Sequence, residues 1–381
     1  MLHAIDKVFW GVAANARNAD FWSYTGMYRA FLEERGTLLD NGTGYLLPRV
    51  GRAAEPARTE CDFFSALCRV RAHDGCELRY LQFNQLNPDV DTPRATGLRS
   101  MLVGVLAAVQ HHDELSWMVN EARGTYSVSM KPEAEAAVIQ RTLAGLEWLA
   151  KRGAEIVLLP ELVSSNGLHE RIAKWLQARE AAKPRLVITG TFLQPDPEKG
   201  GVRNRAHAID CDGGVLWSQD KMHQYKFTAE HQREASCKLA SKDLIEDIDV
   251  SNRCLVIVDS PLGERIAILI CEDFARTVPQ KQLLVEAGAN VLLVPVMASA
   301  KEDPPAVKTD WRKRCALDFA DEARAVSLVS NSGALLFPRD RARDISDYVC
   351  AVDSYKTKVY DSAEPLFGSS GIDAVLLQVE L

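Results

Sequence analysis

No C-x-x-C pair occurs among the nine cysteines of this chain, which stand at positions 61, 68, 76, 211, 237, 254, 271, 315 and 350. An odd count at irregular spacings points to neither a zinc ribbon nor a disulfide framework. Apolar runs reach strand length only, so no membrane span is expected. The opening Met1-Leu-His-Ala-Ile-Asp6 shows no charged leader ahead of an apolar stretch, and the expected setting is reducing and cytoplasmic. The 45 Lys and Arg form no basic block and the formal charge is −7, so no nucleic-acid partner is expected. A phosphate loop, a Rossmann glycine pattern and zinc-ligand spacing are all missing, which leaves no cofactor and no metal to expect. The adjacent His111-His112 reads as a solvated helix end, because neighbouring side chains on a helix diverge.

What remains is ordinary globular material: 381 residues, 47% hydrophobic and 25% charged. The length suggests two domains, or one large domain with an extension. Residues 1–115 read as a smaller α+β segment of unassigned role. A helix is predicted over 21–34 from Phe21, Tyr24, Tyr28 and Phe31. A hairpin is predicted around Asn41-Gly42, a strand over 75–84, a loop over 87–93 and a helix over 95–110.

From residue 120 strands and helices alternate. Strands are predicted at 125–130, 155–160, 186–192, 264–270, 291–296 and 326–330, and helices at 133–152, 168–180, 280–287 and 311–325. Two hairpin-like pairs, 205–210 with 215–219 and 255–259 with 264–270, interrupt the alternation. The pattern predicts an α/β sandwich rather than an open parallel sheet. Four strand ends, at Glu161, Gln219, Cys271 and Pro295, run into polar loops, where ligand sites of α/β folds lie.

One of those ends carries a thiol. Ile266 to Ile270 is an uninterrupted apolar run that delivers Cys271 into Glu272 and Asp273. A nucleophilic thiol needs such a place, on rigid backbone yet within reach of substrate; taken alone, a core cysteine at a strand end is the simpler reading. Taken alone, Glu161 reads first as a helix-entry or solvated loop carboxylate, and Lys221 as a surface lysine.

In order, three stretches resemble the signatures of the carbon–nitrogen hydrolase (nitrilase) superfamily: Gly153-Ala-Glu-Ile-Val-Leu-Leu-Pro-Glu161, Gly214-Val-Leu-Trp-Ser-Gln-Asp-Lys221 and Ile268-Leu-Ile-Cys-Glu-Asp-Phe274. Gly288-Ala-Asn-Val-Leu-Leu-Val-Pro295 and Arg314 to Gly333 add supporting matches. The resemblance covers residues 120–381 and implies an α-β-β-α sandwich. It also implies a catalytic triad of Glu161, Lys221 and Cys271, and a second glutamate after the lysine, for which Glu230 fits and Glu234 stands nearby. Glu272 is the candidate oxyanion donor through its backbone N–H, and a candidate for substrate recognition, since that position often carries an aromatic residue.

The resemblance implies an amidase-type thiol hydrolase that cleaves a non-peptide C–N bond (linear amide, carbamoyl or ureido group) through a cysteine thioester. The partners it implies are a small-molecule amide substrate and further copies of the chain, in a homodimer or larger assembly. The segment 1–115 is an expected docking element for a protein partner. The alternative is an interaction or ligand-sensing module with little turnover, recruited through that segment.

Overall fold

Apolar runs with no polar interruption form the centre of this protein. Ile156-Val-Leu158 is the clearest case, with all three side chains at 0% exposure. Ile156 and Leu158 face a second sheet, whereas Val157 packs with the helices on the other side. A strand buried on both faces needs no polar side chain, and the sequence supplies none. The computed structural model describes residues 44–48, 67–82, 100–180, 182–196, 200–234, 239–260, 263–299, 310–336, 344–352, 363–368 and 371–380.

Two large sheets stack. The first has seven strands in the order Val215–Asp220, Val202–Asp210, Leu186–Pro195, Ile156–Leu158, Ser100–Leu106, Gly371–Glu380, Ala363–Gly368. The second has six, in the order Val349–Val352, Val326–Asn331, Val291–Val296, Arg265–Ile268, Arg253–Asp259, Cys76–Gln82. One apolar cluster joins their inner faces, from Met101, Val103, Ile156, Ile188 and Ala206 on one side to Leu255, Ile257, Ile268 and Leu293 on the other. Helices Pro132–Lys151 and Asn166–Gln177 cover the outside of the first sheet through Val138, Leu146, Leu149, Leu168, Ile172 and Leu176. Trp311–Ala323 and Gln282–Ala287 lie on the second sheet's side. The layering is helix, sheet, sheet, helix: an α/β sandwich of the expected class. A smaller four-stranded sheet, Lys226–Phe227, Leu244–Glu246, Thr125–Met130 and Leu115–Asn120, sits beside it.

Before residue 115 the strand expected over 75–84 is present as Cys76–Gln82, but the helix expected over 95–110 is not. Where the sequence predicts a helix over 95–110, residues Ser100–Leu106 form a strand, parallel to Ile156–Leu158 and antiparallel to Gly371–Glu380. Met101-Leu-Val-Gly-Val-Leu106 is covered on both faces, so its apolar residues carry no period that separates helix from strand. Gly104 completes the fit: a Cβ there would lie 2.5 Å from Leu149 Cδ1, so its absence lets the long helix settle against the sheet.

Farther upstream, Cys76–Gln82 runs parallel to Arg253–Asp259 as the edge of the six-stranded sheet. Tyr80 donates to Asp259 Oδ2 at 2.7 Å, and Asp259 takes both arms of the fully buried Arg265 guanidinium, at 2.6 and 2.7 Å. Both large sheets therefore run across the domain boundary expected near 115–120. The helix predicted over 21–34 and the Asn41-Gly42 turn lie outside the described residues; Gly44–Pro48 pairs with Leu67–Arg71. Among the described residues, no helix is long and apolar enough to cross a membrane.

Candidate active site

Strand ends from both sheets meet at one spot. Past Ile156–Leu158 the chain turns through Leu159-Pro160 to Glu161, whose N–H donates to the Val296 carbonyl at 3.3 Å. A bulge in the neighbouring strand Leu186–Pro195 makes room for this turn. Gly190 adopts φ +72° there, and a Cβ on it would lie 2.4 Å from the Pro160 carbonyl oxygen. Thr191 N–H then donates to that carbonyl at 3.1 Å, and Thr191 Oγ1 accepts from Leu162 N–H at 2.9 Å.

Lys221 follows the strand Val215–Asp220, its N–H bonded to the Asn204 carbonyl at 2.8 Å. Cys271 comes three residues after Arg265–Ile268 and donates its N–H to the Pro295 carbonyl at 3.0 Å. It adopts φ 47° and ψ −102°, a conformation that L-residues rarely hold and that costs on the order of 1–3 kcal/mol. Glu272 then opens the short helix Glu272–Ala275, so its N–H belongs to the first turn and has no carbonyl partner within the helix.

The side chains converge in a buried cluster. Lys221 Nζ lies 2.7 Å from Glu161 Oε1 and 2.6 Å from Glu246 Oε2. Asn204 Nδ2 donates to Glu161 Oε1 at 3.1 Å and to Glu246 Oε1 at 2.9 Å. The Cys271 thiol sits close enough to the Glu161 carboxylate for each to act on the other's ionisation. Exposure is 2% for Glu161 and Glu246, 3% for Lys221 and 8% for Cys271, so solvent scarcely screens these charges.

The electrostatics follow from that burial. Burial pushes the Cys271 thiol well above the ordinary thiol range, and the Glu161 carboxylate beside it adds to the rise. Burial also raises Glu161, against the pull of Lys221. For Lys221, burial works against the charge, but Glu161 and Glu246 outweigh it and hold the ammonium protonated well above the ordinary lysine range. The resting site thus pairs a neutral thiol with a carboxylate that is unusually ready to take its proton, next to a fixed positive charge.

Glu161, Lys221 and Cys271 come together as the sequence motifs anticipate. Glu230 does not join them: it is exposed on the short helix Ala229–Glu234. The second carboxylate on the lysine is Glu246, on the three-residue strand Leu244–Glu246. Its signal is the alternation Leu244, Glu246, Ile248, which puts a carboxylate in phase with two buried apolar residues. Asn204 is equally legible in phase with Ala206 and Ala208 on the inward face of Val202–Asp210. Glu272 pairs with Arg276 one helical turn on. Asp273, fully buried, accepts from Met222 N–H at 3.0 Å and lies 3.0 Å from His223 Nδ1, tying the helix after Cys271 to the loop after Lys221.

No protein-family model matches the chain, and the search of curated proteins returns no relative. Among solved structures, it is similar to Saccharomyces cerevisiae Nit3, described as a member of branch 10 of the nitrilase superfamily. Identity is 15%, with 74% of this chain and 90% of that one covered and a TM-score of 0.47. It is also similar to a mutant of the Nesterenkonia AN1 amidase from the nitrilase superfamily, at 13% identity, 73% and 90% coverage and a TM-score of 0.46. Another mutant of that amidase, holding the acetamide moiety of fluoroacetamide on its active-site cysteine, matches with the same figures. Nit3 and the amidase are both described as members of the nitrilase superfamily.

Proposed function

We propose that this chain is a carbon–nitrogen hydrolase of the nitrilase type, acting on a linear amide, carbamoyl or ureido group through a thioester on Cys271. One observation carries the reading: a buried thiol at a strained strand end lies beside a carboxylate that also holds a buried lysine at 2.7 Å. Motifs found separately in the sequence supply all three groups.

Amide cleavage needs a nucleophile, a proton acceptor that becomes a donor, and positive charge where the carbonyl oxygen turns anionic. Cys271 Sγ attacks the carbonyl carbon as its proton passes to Glu161. The Lys221 ammonium and the Glu272 backbone N–H stabilise the oxyanion. Glu161 returns the proton to the departing nitrogen, leaving the acyl group on sulfur. Water then attacks the thioester with Glu161 again as base, and the thiol is regenerated. Glu246 keeps Lys221 charged and in place throughout.

The test is turnover and trapping. Ammonia release from a panel of small amides and ureides is expected from the wild type and abolished in Cys271→Ala. Iodoacetamide is expected to add one mass increment, located at Cys271 by peptide mapping. Retained turnover in Cys271→Ala, or labelling spread evenly over the other cysteines, overturns the reading.

A further inference from the structure

Two glutamates share one lysine in this cluster, and a neutral side chain makes them different. Asn204 is 1% exposed and its Nδ2 reaches both carboxylates, Glu161 Oε1 at 3.1 Å and Glu246 Oε1 at 2.9 Å. Its Oδ1 is buried and has no partner among the described residues. Turning the amide over would aim that oxygen at two carboxylate oxygens, so the cluster dictates the orientation and accepts one unsatisfied acceptor.

With Nδ2 placed, the oxygens can be counted. Glu161 Oε1 accepts from Lys221 Nζ and Asn204 Nδ2. Glu246 Oε1 accepts from Asn204, and its Oε2 accepts from Lys221 Nζ at 2.6 Å and Tyr225 N–H at 3.1 Å. Both oxygens of Glu246 and one of Glu161 therefore face donors, and a proton on any of the three would meet another proton. Glu161 Oε2 alone is outside this set.

We infer that Asn204 is a positioning residue that divides the two buried glutamates, confining the thiol proton to Glu161 Oε2 and keeping Glu246 ionised through the cycle. The inference rests on the proposed hydrolase reading and adds a residue and a proton route to it. The balance is simple. The S–H bond of Cys271 breaks, its proton forms an O–H bond at Glu161 Oε2, and the sulfur electron pair forms the new S–C bond. Glu246 and Lys221 keep their charges.

The groups around Glu161 come from several elements. Lys221 and Cys271 lie at strand ends, Glu246 and Tyr126 on the small sheet, and Tyr225 in the loop after Lys221. Tyr126 and Tyr225 are both raised by burial and stay neutral, so Asn204 is the uncharged donor whose loss changes Glu161 most directly.

The rate of Cys271 alkylation by iodoacetamide as a function of pH, read by intact mass, tests this without a known substrate. In the wild type the rate falls on the acid side as Glu161 takes up a proton. In Asn204→Leu the ionised Glu161 loses a donor, so its pKa rises and the acid limb moves up by about one to two pH units, the worth of one hydrogen bond to a charged group. Asn204→Asp keeps the shape but puts an acceptor where the donor stood. It shifts the limb further and carries the test if Asn204→Leu does not fold by circular dichroism. Glu246→Gln keeps an acid limb that ends in a plateau, whereas Glu161→Gln loses the plateau and climbs steadily with pH.

A limb that stays in place in the Asn204 variants while the whole profile drops overturns the inference, and so does a limb that follows Glu246 rather than Glu161. The Glu246→Gln and Glu161→Gln pair decides which glutamate the limb follows even if neither Asn204 variant folds. A wild-type profile with no acid limb would instead count against the hydrolase reading itself.

Discussion

Lys221 and Glu246 form a buried ion pair at 2.6 Å that joins the seven-stranded sheet to the small sheet beside it. Glu161 holds the same ammonium at 2.7 Å, so two carboxylates compensate one cation and the cluster keeps a net negative charge with the thiol neutral. An ion cluster this deeply buried is costly to assemble and persists only when every partner is in place.

Glu246 therefore matters far more than Glu230. Glu246→Gln is expected to lower amide turnover about 10²-fold or more, the scale of losing one preorganised charge. Glu230→Gln, an exposed substitution, is expected to stay within about twofold of wild type. Steady-state ammonia release distinguishes them, and equal losses in both would return Glu230 to the site.

The thiol and its base give a pH signature. Because burial raises the Cys271 thiol, its thiolate is scarce at neutral pH and attack depends on proton transfer to Glu161. Glu161→Gln removes the acceptor, so alkylation at neutral pH is expected to slow about 10²-fold or more. The mutant's rate should then climb steadily with alkalinity, because only hydroxide remains to ionise the thiol. The wild-type rate should level off once Glu161 is ionised. A mutant profile that plateaus with the wild type would contradict the pairing.

Gly190 is a backbone requirement of the site. A side chain there would strain φ +72° and press on the Pro160 carbonyl, one residue before Glu161. Gly190→Ala is expected to cost about 2 kcal/mol or more in urea denaturation, and to slow Cys271 alkylation in the protein that remains folded. Unchanged alkylation would mean that the bulge does not set the position of Glu161.

Asp259 neutralises the fully buried Arg265 and anchors Tyr80. Asp259→Ala removes the carboxylate that balances a buried guanidinium, leaving its charge uncompensated beside the Ala287 carbonyl, and is expected to destabilise the protein by about 3–5 kcal/mol. Tyr80→Phe loses one bond to a charged acceptor, about 1.5–3 kcal/mol. Chemical denaturation measures both; a mild Asp259→Ala would mean that the guanidinium finds water.

The active-site strands are legible in the sequence because their ends are marked. Leu158-Leu-Pro-Glu161 stops at a proline, and Ile270-Cys-Glu-Asp273 passes abruptly from aliphatic to acid. Ser100–Leu106 is not, since burial on both faces erases the alternation that identifies a strand. Its pairing partner, Gly371–Glu380, lies far along the sequence, where no local pattern reports it. Glu246 is hard to see because its strand is only three residues long, too short for periodicity to count, although its phase with Leu244 is present.

That pairing between Ser100–Leu106 and Gly371–Glu380 also bears on how the protein is made. The earlier strand leaves the ribosome with its Ile156–Leu158 neighbour soon behind it, but its other edge waits until residues 371–380 have been made. Until then an apolar edge in the middle of the future sheet is open to wrong partners. Closure with such high sequence separation is slow, and the nascent protein is most exposed to misassembly in the interval before residues 371–380 emerge.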